Sequence, residues 1–126
     1  MSVWLLVVAL AVPDHTLTPG AVRPLSRTTV CTIKWGRDRR HVTTKMRQAV
    51  FRAYGIDWTL RASYEVDHLI PRDLGGADVV ANLWPQPLAE AKRVKDPQEV
   101  ALHRAVCAGT ITLAAARATM QRWPDP

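Results

Sequence analysis

The stretch covering residues 63–84 constrains the fold of this 126-residue chain more than any other. Residues 63–68 (SYEVDH) alternate their side chains with the period of two that a pleated strand imposes. Residues 69–81 break that pattern with Pro71 and Gly75-Gly76, and residues 82–84 can return as a second strand. The flanks follow a helical period instead. Residues 44–54 place Met46, Val50, Phe51 and Tyr54 on one face, with Thr43 or Thr44 as N-cap and Gly55 as the stop. Residues 90–95 are expected to be helical. Asp96-Pro97-Gln98-Glu99 has the cap, the N1 proline and the capping-box spacing of a new helix, running to about Cys107 and closed by Gly109. Thr112 caps a last helix that ends near Trp123. A short hairpin among helices predicts an α+β domain. Residues 28–35 (TTVCTIKW) are rich in β-branched side chains and predict a further short strand.

The length suits a single domain. Hydrophobic residues make up 48% and charged residues 22%, which excludes a disordered chain. The formal net charge is +6, and it is unevenly placed. Residues 23–61 carry ten Lys or Arg against two Asp, whereas residues 62–126 carry seven basic against eight acidic side chains. A cationic half beside a carboxylate-bearing half suits a protein that holds a polyanion and acts on it nearby, although a merely basic surface has the same composition.

Residues 3–12 form an unbroken apolar run, too short to span a bilayer, with Ala9-Leu10-Ala11 in the pattern of a signal cleavage site. No Lys or Arg precedes the run, and a buried N-terminal strand is the other reading. The expectation is export to the periplasm or the exterior, with residues 1–11 as signal peptide, 12–33 as an extended lead-in and no membrane segment in the mature form. In that setting Cys31 and Cys107 would form a disulfide, rather than remain two buried thiols.

Three polar residues in the hairpin stretch carry the chemistry. Asp67 and His68 end the first strand, and Asn82 follows fourteen residues after His68. Hydrolysis of a phosphodiester needs a base for the attacking water, and histidine titrates near neutrality. A divalent ion, held by a carboxylate, can stabilise the leaving oxygen. An amide can steady the imidazole. Asp67-His68, Pro71, Gly75-Gly76 and Asn82-Leu83 together resemble the HNH (ββα-metal) nuclease superfamily, in the manner of its small exported bacterial members. The resemblance is clear over residues 64–86. It implies an HNH-like hairpin-plus-helix core within residues 34–126, with additional flanking helices.

It further implies a metal-dependent endonuclease in which His68 is the general base, Asp67 a metal ligand and Asn82 either orients His68 or supports the hairpin. The metal would be Mg²⁺, with Mn²⁺, Ni²⁺ or Zn²⁺ as alternatives. The family also places a third polar residue, commonly His or Asn, on the following helix. Here that window contains neither; Glu90 is the candidate oxygen ligand, Asp96 is a second that its capping role already explains, and Arg93 or Lys95 could instead contact a phosphate. Lys34, Arg37, Arg39, Arg40, Lys45 and Arg47 would neutralise the phosphate backbone of nucleic acid, DNA in preference to RNA, with little sequence specificity. The competing expectation is a non-catalytic nucleic-acid-binding domain of the same fold that has lost its third ligand.

Overall fold

A computed structural model of the protein describes residues 11–125. The residues of the apolar run before Ala11, and most of the cleavage pattern, lie outside them. The described elements are α1 (Arg27–Thr32), α2 (Thr44–Ala53), β1 (Tyr64–His68), β2 (Leu83–Pro87), α3 (Leu88–Glu90), α4 (Asp96–Cys107) and α5 (Leu113–Gln121), with short 3₁₀ turns between them. The α+β class follows. Strands β1 and β2 pair antiparallel, with Asp67 opposite Trp84 and His68 opposite Leu83. Pro85 and Pro87 lie in β2 and have no N–H to offer, which suits a sheet of two strands.

Helix caps form where the local chemistry predicts. The Thr43 hydroxyl accepts the Met46 N–H at 3.1 Å, and the Thr112 hydroxyl accepts the Ala115 N–H at 3.0 Å. Gly55 and Gly109 leave their helices with φ of +66° and +79°.

Two expectations are corrected. Residues 28–35 are not a strand: residues 27–32 form α1, capped by the Ser26 side chain. Val30 is buried, Cys31 is bonded to Cys107 of α4, and the Thr32 hydroxyl donates back to the Thr28 carbonyl at 2.9 Å. Tertiary anchoring overrides β-propensity, which is a weak prior. Likewise α4 begins at Asp96 and runs to Cys107 as expected, but Asp96 does not cap a free helix end. The backbone is already helical from Leu88 and passes into α4 through a π-helical turn, Ala91–Lys95, where the Asp96 N–H reaches back five residues to the Ala91 carbonyl. Pro97 cannot donate and crowds the carbonyl four residues before it, so a wider turn ahead of it relieves the conflict.

The core collects Leu69, Ile70, Leu74, Trp84, Val106, Met120 and Trp123, so it lies between the hairpin loop, α4 and α5. Residues 11–26 wrap this unit as a strap. Val22 bridges to Gly76, the Gly20 N–H reaches the Ala81 carbonyl at 2.9 Å, and the Thr18 hydroxyl reaches the Leu83 carbonyl at 3.0 Å. The Cys31–Cys107 disulfide ties the end of the lead-in to α4 across 76 residues. A bridge closing a loop of that size removes roughly 4 kcal/mol of unfolded-chain entropy. No described helix is long and apolar enough to cross a membrane.

Candidate functional site

Strand β1 ends on Asp67 and His68, both nearly buried. The His68 ring is fixed by a residue of the loop: its Nε2 lies 2.8 Å from Asp78 Oδ1. Asp78 is itself held by the Arg72 Nε–H at 3.1 Å and by the backbone N–H of His41 at 2.8 Å. Burial alone would raise the Asp78 carboxyl, but the His41 amide, His68 and Arg72 outweigh it and hold it below the usual carboxylate range. Asp78 is therefore an acceptor, so Nε2 carries the proton and Nδ1 the free lone pair. Burial pushes His68 below the ordinary histidine value, and the opposing pull of Asp78 does not restore it. The ring is neutral at pH 7. Its Nδ1 has no protein partner among the described residues and is not sealed from solvent.

Asp67 is held from the other side. Its Oδ2 lies 2.7 Å from Nζ of Lys95, a fully buried lysine on the π-helical turn. The same ammonium donates to the His68 carbonyl at 2.7 Å and to the Glu99 carboxyl. Burial opposes the charge on Lys95, and Asp67 and Glu99 more than restore it. Glu99 is pushed up to about 8 by its burial, against the pull of Lys95. The capping-box role foreseen for Glu99 is replaced by this contact.

Asn82 does not touch the His68 ring. Its Oδ1 accepts the N–H of Ile70 at 3.0 Å and of Ala21 at 3.4 Å, and its Nδ2 donates to the carbonyls of Ile70 and Ala77 at 3.0 and 3.1 Å. Of its two foreseen roles it fills the second, bracing the hairpin loop. Gly75-Gly76 serves the same loop. Gly75 has φ +87°, and a Cβ on Gly76 would stand 1.7 Å from the Ile70 carbonyl oxygen.

Asp67 and His68 line one cavity of about 350 Å³, together with Arg40, Glu65, Arg72 and Asp73. The two side chains thus meet at a common space, although adjacent strand residues point apart. The structure does not bring Glu90 there: both its oxygens face the Ala11 N–H, at 3.2 and 3.1 Å. Of the foreseen phosphate contacts, exposed Arg40 reaches this cavity, and Arg40 and Arg47 line a second one beside it. Lys34, Arg37, Arg39 and Lys45 are exposed but line neither. Trp84 is core, as its apolar setting suggests. Sequence reasoning missed Asp78, Arg72 and the buried ion-pairing role of Lys95. The i, i+4 spacing of Lys95 and Glu99 is the one signal that pointed at any of them.

Among the described residues no three His, Cys, Asp or Glu side chains form a metal cage. Two carboxylates, those of Asp67 and Asp73, nevertheless line the same cavity. Among the described residues Asp67 Oδ1 has no protein partner, and Asp73 carries a buried oxygen with none either. Mg²⁺ commonly takes one or two carboxylates and completes its shell with water and substrate phosphate. Compared with known proteins, the chain matches no family model, no curated protein and no solved structure.

Proposed function

We propose that the protein is an exported, metal-dependent endonuclease of the HNH type, cutting phosphodiester bonds of nucleic acid, DNA in preference to RNA. One observation carries the reading: Asp78 fixes the protonated nitrogen of His68 and leaves Nδ1, a neutral acceptor, in a cavity that also contains Asp67. His68 takes the proton of the attacking water at Nδ1, and Asp78 holds the ring and stabilises the imidazolium that results. Mg²⁺ or Mn²⁺, held by Asp67 with Asp73 at hand, would neutralise charge on the departing oxygen. Arg40 at the rim meets the phosphate without reading sequence. The disulfide supports the export part of the reading, since such bridges persist in oxidising compartments.

The test is plasmid cleavage with and without Mg²⁺ or Mn²⁺, beside His68→Ala. We expect metal-dependent nicking that falls by about a thousandfold in the variant, in the range of a lost general base. Cutting that persists in the variant refutes the role of His68.

A second reading has its own support. The Lys95 ammonium already neutralises Asp67, as a bound cation would. A non-catalytic nucleic-acid-binding domain needs nothing more, and DNA retardation without cutting under any metal would select it.

A further inference from the structure

Beside the cavity of Asp67 and His68 lies a larger one, of about 620 Å³, and the two share Arg40 and Glu65 on their common wall. Its lining differs in kind. Trp58 and Tyr64 face it, both partly exposed, and both rest edge-on against buried Phe51, with centroids 5.1 and 5.8 Å away. Arg61 stands over the Trp58 ring at 5.3 Å, and Arg47 adds a second exposed cation. At the wall, Glu65 is half-buried and accepts no hydrogen bond among the described residues. Leaving a carboxylate so placed without a donor is unfavourable.

We propose that this cavity takes one unpaired nucleobase of a single-stranded nucleic acid, next to the phosphate held by Arg40. The inference rests on the nuclease reading for the direction of the strand, and it adds the substrate class. Aromatic rings with arginines interleaved form a stacking platform for bases that have left a duplex. The cavity is large enough for one nucleotide. An ionised carboxylate only accepts hydrogen bonds. Glu65 therefore favours a base whose pairing edge presents donors side by side. Guanine offers an imino and an amino group together. Thymine offers one N–H between two carbonyls, which a carboxylate repels.

The test measures binding apart from cutting. The intact, disulfide-bonded protein is titrated in EDTA against labelled octamers: one all thymine, one with a single central guanine, and the second annealed as a blunt duplex. We expect the guanine-bearing single strand to bind about tenfold tighter than the duplex. Trp58→Leu should weaken single-strand binding about tenfold, as loss of one stacked base does. Glu65→Gln should abolish the preference for guanine over thymine. If Trp58→Leu lowers the melting temperature, exposed Arg47→Ala takes its place, with a loss of about threefold expected. Equal affinity for duplex and single strand, or variants that bind as the parent does, overturns the pocket. Cutting of plasmid by the parent protein with Mg²⁺ is scored separately. Cutting without base preference sinks the pocket alone, and base preference without cutting sinks the nuclease reading alone.

Discussion

Asp67 and His68 are neighbours on β1, and two different regions hold them. The loop of residues 69–82 holds His68 through its side chain, and the grip on Nε2 leaves Nδ1 unoccupied. The helical side holds Asp67 through buried Lys95, and that grip occupies Oδ2 while leaving Oδ1. The loop is braced by neutral hydrogen bonds from Asn82 and by a close glycine approach. The helix uses buried charge. Neutral bracing fixes geometry at low desolvation cost, whereas a buried ion pair fixes charge and is fragile to the loss of either member.

That contrast can be broken one side at a time. The largest effect should come from Lys95→Met, which leaves Asp67 buried without its counter-charge. We expect a loss of about 4 kcal/mol in urea unfolding, the range for removing one partner of a buried pair. Adding Asp67→Asn should recover part of it, and a strictly additive double variant would refute the pairing. Asn82→Ala comes next. It strips four hydrogen bonds from the loop and should cost about 3 kcal/mol, with the urea m-value unchanged. Asp78→Asn should leave the fold in place and slow cutting by about 10- to 100-fold, as the loss of an outer partner of a site histidine does.

The remaining effects are in pH. The Glu99 carboxyl, raised from 4.5 to about 8, contributes stability that is complete below pH 4.5 and lost as pH rises through 8. The parent should therefore lose melting temperature between about pH 5 and 8, and Glu99→Gln should flatten that slope. His68 has the opposite sign. Its lowered value contributes stability present above pH 6.5 and lost as pH falls through the folded value, and cutting should fail on the same acid limb.

Legibility in the sequence divides along the same line. Caps at Thr43 and Thr112 and stops at Gly55 and Gly109 are local chemistry, and the sequence pattern anticipates them. The D-H, G-G and N-L motif likewise locates the hairpin, because Asn82 and Gly76 act within a dozen residues of their partners. Asp78 escaped notice because a loop carboxylate has no periodicity. The π-helical turn escaped because a capped proline start and a proline crossing within a continuing helix share one sequence signature. Helix α1 defied its β-branched composition because its anchors, Cys107 and the surface that buries Val30, lie far along the chain. The Trp58-Arg61 pair carried a visible cue, an aromatic residue followed three positions later by arginine in a basic half.

The strap has a consequence for how the molecule is made. Two of its carbonyls bind partners far along the chain: the Pro19 carbonyl accepts Gln121, 102 residues on, and the Leu25 carbonyl accepts Arg117, 92 residues on. During synthesis these two clasps must wait until α5 has emerged. Closing such long loops is slow relative to forming the local helices. Removal of α5 would take away these two clasps while leaving those to Gly76, Ala81 and Leu83, so residues 19–25 should become more open to protease.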